Sequence, residues 1–315
     1  MSEHREMRAV YCETLIQLAE EDDRIVLLEA DLMRASGTQA FQERFPGRTF
    51  NVGVAEANMV GIASGLSATG KIPFANTFAS FAARRTFDQF FLSANYARLN
   101  VKLVGTDPGV TAALNGGTHM AFEDAGLMRT IPNLVVFEPS DPVSLRELVK
   151  AAALHKGCTY MRLQRKQGKV LYPENETFEL GKGKLLREGD DVALIAVGAV
   201  MVNETLDAAD LLAQEGISAA VVDMHTIKPI DRALILRLAQ RCGAIVTCEN
   251  HQINNGLGSA VAEVLVENLP TPMRRVGVKD LFGEVGSEDY LKQRFGLTSD
   301  VICDHAKQVI SLKKG

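Results

Sequence analysis

The sequence predicts an α/β protein of two consecutive domains with mainly parallel sheets. Three observations carry this. Short apolar runs such as IVLLEA (25–30) and VALIAV (192–197) alternate with stretches of helical character along the whole chain. Apolar runs between helices mark strands buried on both faces. A polar stretch rich in Gly, Lys and Glu at 167–191 interrupts the alternation, which then restarts. A length of 315 residues suits two domains of ordinary size.

In order, residues 7–20 repeat their apolar positions at helical period, and 25–30 form a strand that ends against Asp31. A strand at 50–54 leads into a helix over 55–69, then a brief strand at 71–74. A helix spans 79–95, a strand 101–105, and a glycine-rich loop runs from 106 to 119. Then come a strand at 134–137, a helix over 142–154 opened by Pro142, and a strand at 159–163. The first domain is taken as residues 1–168, the linker as 169–190 and the second domain as 191–315. Beyond the linker, strands are expected at 192–197, 217–223, 244–249 and near 274–278. Helices are expected at 200–215, 231–241, 258–268 and near the C-terminus. The two halves share no close repeat.

Composition excludes several classes. A net charge of −5 and pI near 5.8 give no basic face for nucleic acid. No apolar run is long enough to span a bilayer. The N-terminus, MSEHREMRAV, lacks the apolar core of a signal peptide, so the expected location is the cytoplasm. Cys12, Cys158, Cys242, Cys248 and Cys303 are odd in number, widely spaced and free of CxxC. They read as reduced structural thiols.

Glu56 follows a strand end and enters a helix, and ligands of such folds bind at the carboxyl ends of strands. On spacing alone it also reads as a carboxylate offsetting the helix dipole. Its surroundings are unusual. Gly53, Gly61, Gly65 and Gly70, with Ala55, Ala57, Ala63 and Ala68, leave the segment almost without bulk. Glycine inside a helix costs about 1 kcal/mol against alanine, so a close approach is expected, by a packed helix or a second subunit.

The segment NVGVAEANMVGIASGLSATGKIPFANTFASFAARRTFDQ (51–89) resembles the pyrimidine-binding domain of transketolases. The resemblance continues through GTDPGVTAALNGGTHMAFEDAGLMRTIPN (105–133), VVDMHTIKPID (221–231) and ENHQINNGLGSAVAEVL (249–265). It implies a pyrimidine-binding domain followed by a transketolase C-terminal domain, and thiamine diphosphate as cofactor. In that family this glutamate binds N1′ of the aminopyrimidine and so activates C2 of the thiazolium ring. Glu56 takes that place. The resemblance further implies that Phe81 stacks on the aminopyrimidine, with Phe78 beside it, although the two also read as core aromatics. A third aromatic, common in the family, is Arg84 here. His119, behind Asn-Gly-Gly, matches a histidine facing the substrate carbonyl, where it can stabilise an alkoxide and move protons. Asn115 stands where many members carry an aspartate reading a sugar hydroxyl. Asp107 stands where many carry a histidine touching phosphate. Arg165 matches an arginine that clamps the sugar phosphate, a task its planar fork suits; it also reads as a surface arginine after a strand. Ser36 is a second candidate phosphate contact.

The family's GDG element, which holds magnesium and the diphosphate, is absent; Gly189-Asp190-Asp191 is the nearest approach. The expectation is therefore an N-terminal transketolase subunit that binds the diphosphate and Mg2+ (or Ca2+), with the cofactor shared between chains in a two-plus-two heterotetramer. No protein-bound metal is expected in this chain, since His225 and His251 lack ligand spacing. GLGSAV (256–261) is only part of a dinucleotide glycine pattern and is read as packing. The reading is a two-chain transketolase (glycolaldehyde transferase) acting on phosphosugars. Three alternatives stay open: the β subunit of a 2-oxoacid dehydrogenase E1, a 1-deoxyxylulose-5-phosphate synthase, and a non-catalytic scaffold. NGGTH and RLQRK weigh against the first.

Overall fold

The computed structural model describes residues 4–313. Its strands are β1 (His4–Glu6), β2 (Ile25–Glu29), β3 (Thr49–Asn51), β4 (Ile72–Phe78), β5 (Lys102–Thr106), β6 (Val135–Phe137) and β7 (Thr159–Leu163). They continue with β8 (Gln167–Lys169), β9 (Lys184–Arg187), β10 (Val192–Val197), β11 (Ala219–Asp223), β12 (Thr226–Lys228), β13 (Ile245–Gln252) and β14 (Met273–Val278). A seven-stranded sheet has the order β12-β6-β7-β5-β4-β2-β3, and a five-stranded sheet the order β14-β13-β10-β11-β9. Both are parallel except for one antiparallel edge each, β12 and β9. β1 and β8 form a separate antiparallel pair. The apolar runs form the central strands because helices cover both faces; β2, β5, β7, β10 and β11 are buried at every residue.

The structure differs from the sequence reading in three places. The stretch read as linker contains two strands, β8 and β9. β12, from the second half, completes the edge of the first sheet, so the chain crosses back after the break. The helix expected over 79–95 is broken. It runs as Ala79–Arg84, then Phe87–Gln89, then a wider-wound turn Phe90–Tyr96. At the break the Thr86 hydroxyl donates to the Ala82 carbonyl, a back-bond that competes with the helical ladder.

Caps are clear where the sequence supplies them. Asp141 and Ser144 form a reciprocal capping box for Pro142–Leu154. Asp231 caps Arg232–Cys242, which closes on Gly243 in the left-handed region. All five cysteines are buried and unpaired with one another. No helix among the described residues is long and apolar enough to cross a membrane.

The two sheets are joined by polar contacts as well as by one shared apolar cluster. Asn250, in β13, accepts from the Val110 amide at 2.9 Å and donates to the Pro108 carbonyl at 3.0 Å. His251 Nε2 accepts from the Gly126 amide at 3.1 Å. The wholly buried Arg162, in β7, donates to Asp124 at 2.8 Å, to Glu138, and to the Asn250 carbonyl at 2.9 Å. Glu249 accepts from the amides of Leu257 and Gly258, so GLGSAV serves the start of helix Leu257–Asn268.

Candidate active site

The candidate site lies at the carboxyl ends of β2, β4, β5 and β7, where an open parallel sheet presents ligands to its loops. Glu56 is the first residue of helix Glu56–Ala68 and is only 4% exposed. Its Oε1 accepts from Arg85 Nη1 at 2.7 Å. The same guanidinium lies 3.8 Å from the centre of the Phe81 ring.

Phe78 ends β4 and Phe81 sits in the helix that follows, so they come from two elements and not from one helical face. Their rings meet edge to face at 5.9 Å. His119 completes the cluster, 5.5 Å from Phe78 and 5.1 Å from Phe81. Its Nδ1 shares a 3.0 Å hydrogen bond with the Thr118 hydroxyl. Arg84 braces this loop, donating to the Thr118 carbonyl at 2.7 Å and pairing with Glu123. The helix reaches the sheet because Gly105 in β5 has no side chain; a Cβ there would stand 2.8 Å from Ala79 Cα and 2.5 Å from the Tyr160 hydroxyl.

Arg165 follows β7 and lies 5.1 Å above the Phe78 ring. It donates through Nε to Asp107 Oδ2 at 2.6 Å, pairs with it again through Nη2, and donates to the Ala35 carbonyl at 3.2 Å. Asp107 is 1% exposed, adopts φ 53°, and its amide donates to Leu163. Asn115 is exposed at the end of the short helical turn Gly109–Asn115. Next to it, Gly117 packs on Gly283, so closely that a Cβ would fall 2.1 Å from the Gly283 carbonyl oxygen. A loop of the second sheet thus backs the loop that carries His119.

Ser36 does not join the cluster. It is fully buried, and its hydroxyl donates to Glu29 at 3.3 Å, beside the Thr38 hydroxyl at 2.7 Å. Glu29, which ends β2, was not singled out in the sequence. Burial pushes its carboxyl from the ordinary 4.5 up to about 8, against the pull of both hydroxyls. Between these values the folded chain keeps a proton that the unfolded chain has lost. Its contribution to stability is therefore full below about pH 4.5 and falls as pH rises toward 8, by up to about 1.4 kcal/mol per unit. Glu138 and Asp223, each raised to about 7 chiefly by burial, act in the same direction. Thermal melts at pH 5.5 and 8 should show a shallower decline in Glu29→Gln than in the parent; equal declines would exclude a titrating Glu29.

Arg8 was also missed. Its Nη1 donates to the Ala35 carbonyl at 3.3 Å, so two guanidinium groups meet at one oxygen. It is brought there by backbone bonds from Met7 and Arg8 to Lys166 and Arg165. No local pattern marks it. Among the described residues, no group of three or more His, Cys, Asp or Glu side chains is arranged to hold a metal.

Two mainly parallel sheets with aromatic and titratable side chains gathered at the strand ends of the first define a two-domain α/β protein. Residues 3–169 match the family model "Transketolase, pyrimidine binding domain", and residues 181–302 match "Transketolase, C-terminal domain". The chain belongs to the transketolase family. It is 52% identical to the 6-deoxy-6-sulfo-D-fructose transketolase subunit SqwH of Clostridium sp. (strain MSTE9), over 98% of this chain and 95% of that one. It is 41% identical to a putative transketolase C-terminal section of Methanocaldococcus jannaschii, over 99% and 97%. A solved structure described as a split gene transketolase, inactive beta4 tetramer, superposes with a TM-score of 0.90 at 43% identity, covering 98% of this chain and 99% of that one. These relatives match it in length and carry the names of split enzymes, so the chain is a transketolase subunit of the split kind.

Proposed function

We propose that this chain is the C-terminal subunit of a two-chain, thiamine-diphosphate-dependent transketolase. It moves a two-carbon ketol unit from a ketose with a terminal anion, such as a phosphate, to an aldose phosphate. The observation that carries the reading is the meeting of Glu56, Phe78, Phe81 and His119 at the strand ends. The residues fit the cofactor's pyrimidine end, because a flat, nitrogen-bearing cation, the Arg85 guanidinium, already rests on the Phe81 ring and on the Glu56 carboxylate. A pyrimidine ring with a protonated nitrogen asks for the same two contacts.

Bound thiamine diphosphate supplies the carbanion equivalent that carries the two-carbon unit. The chain's own groups do the rest. Glu56, shielded from water, holds the proton at the pyrimidine N1′. Phe81 and Phe78 would hold the ring between them and the Glu56 carboxylate. His119 would hydrogen-bond to the ketose C2 carbonyl oxygen and donate a proton there as that oxygen takes on alkoxide charge. Asn115 reads a hydroxyl, and Asp107 and Arg165 face the terminal anion. Ser36 is omitted, since its hydroxyl is engaged by Glu29.

The diphosphate and Mg2+ (or Ca2+) belong to an N-terminal partner subunit. Two features support a partner. The description of the superposed structure names an inactive assembly of beta chains, a statement about that protein. In this chain, Gly61 and Gly65 lie on an exposed face of the Glu56 helix with nothing within 4 Å of an added Cβ, so the close approach that glycines permit is made by none of the described residues. The assembly we propose is a two-plus-two heterotetramer, and the buried free thiols suit the cytoplasm. Mixed with the partner chain, thiamine diphosphate and Mg2+, the protein should transfer the ketol unit of xylulose 5-phosphate to ribose 5-phosphate and co-elute as one complex. Activity from this chain alone, or no association on size-exclusion chromatography, would sink the reading.

A further inference from the structure

The candidate active site uses the carboxyl ends of the first sheet; the amino ends carry a groove of their own. Asn100, Asn133 and Cys158 stand within two residues of the starts of β5, β6 and β7. Around them lie two adjoining cavities of about 640 and 490 Å³, which share Asn95, Arg98, Pro132 and Asn133. Both volumes suit a small-molecule site, whose usual span is about 300–1,000 Å³. The five residues of β5, roughly 16 Å of strand, separate the groove from Asp107.

The groove is cationic. Arg98, His155 and Lys156 line it, and no Asp or Glu does. Among the described residues, no carboxylate comes within 4.0 Å of the Arg98 or Lys156 cation. Behind the lining lies a third cation, Lys102, which is 1% exposed. Its ammonium donates to Asn100 Oδ1 and to the carbonyls of His155 and Gly157, each at 2.7 Å. All three acceptors are neutral. Burial lowers the Lys102 pKa to about 7, with no carboxylate pulling the other way. A buried charge without a counter-ion is costly, and an anion in the groove would supply one. Asn100 is oriented for such an anion. Its Oδ1 is taken by Lys102 and by the Gly157 amide at 3.2 Å, so its NH2 remains to donate. The second cavity adds flat and apolar surface from Phe91, Ile131, Pro132 and Tyr96, the last 80% exposed on the wider-wound turn Phe90–Tyr96.

We propose that this groove binds a nucleotide, with its phosphate at Arg98, Lys156 and the Asn100 amide, and its base against Tyr96 and Pro132. Phosphate suits the first cavity because several donors converge there, and a base suits the second because stacking asks only for a flat face. The site stands apart from the ketol-transfer reading, which its failure would leave untouched.

AMP is the probe, titrated by isothermal calorimetry into the full chain and into the assembled enzyme. One saturable site is expected in both. Adenosine and inorganic phosphate should each bind at least about tenfold more weakly, since each fills only one cavity. Arg98→Asn tolerates the left-handed backbone at φ 55° and removes the cation. That variant and Lys156→Gln should each weaken AMP by about three- to thirtyfold, and Tyr96→Ala by about fivefold or more. Arg165→Gln, at the far end of the sheet, should leave AMP binding unchanged. No saturation by about 5 mM AMP, or an affinity unmoved by Arg98→Asn and Lys156→Gln, overturns the inference. Loss of AMP binding in Arg165→Gln would move the nucleotide to the candidate active site and overturn it too. Inorganic phosphate that binds as well as AMP would leave a bare anion site, and AMP binding that the assembled enzyme lacks would make the groove a subunit contact; either result overturns the proposal.

Discussion

Glu56→Gln in the assembled enzyme is expected to lower kcat for ketol transfer by about a hundred- to ten-thousandfold, the span usual for loss of a proton-handling group. Glutamine has the same shape and keeps an oxygen for the Arg85 hydrogen bond, so the site should stay built. What it loses is the ability to hold and release a proton at the pyrimidine nitrogen. The helix gives up the favourable charge in its first turn, about 0.3–1 kcal/mol, and the half-exposed Arg85 keeps a hydrogen bond in place of its ion pair. Thermal stability should therefore move little while turnover collapses, and KM for the sugar should change much less than kcat. Steady-state kinetics beside a melt of the same preparation separates the two. A variant within tenfold of the parent rate would remove Glu56 from the chemistry.

Arg162→Met should produce the largest loss of stability, about 3–5 kcal/mol. Arg162 is wholly buried and answers the carboxylates of Asp124 and Glu138 while bonding the Asn250 carbonyl. Methionine fills much of the volume but leaves two buried acids without their cation. Burial already raises Glu138 to about 7, with Arg162 pulling the other way. Without the arginine that carboxyl rises further, so the variant should lose still more stability as pH rises through neutrality, and recover part of it when Glu138→Gln is added. Denaturant unfolding at pH 6 and 8 reads both effects. If the single variant unfolds at the parent midpoint, the triad is not holding the sheets together.

Much of this was legible in the sequence for a physical reason. Strands buried on both faces must be apolar throughout, so IVLLE and VALIAV announce themselves. Pro142, Asp231 and Gly243 mark helix ends because caps are local chemistry. Glu56, Phe81 and His119 lie in short motifs, which is why the sequence singles them out. It does not single out Arg8, Arg85 or Glu29. Arg8 reaches the site only because β1 pairs with β8, far along the chain. Arg85 matters through a ring and a carboxylate on other elements. The burial that raises Glu29 is a property of packing. Strand β12 was missed for a like cause: TIK alone is too short to declare which sheet it will join. Ser36 stands out in the sequence only as a hydroxyl after the strand that leads to Asp31, and nothing local shows that it bonds an inner acid, Glu29.

Arg85 has a thermodynamic corollary. Its guanidinium occupies the carboxylate and the ring face that a pyrimidine would take, and the side chain is 47% exposed. On the function proposed above, loading this subunit is an exchange of one cation for another. A dissociation constant measured for the cofactor reports the difference between two occupants, with the outgoing arginine repaid by hydration at the protein surface. Before any cofactor binds, Glu56 therefore already has a counter-ion in Arg85.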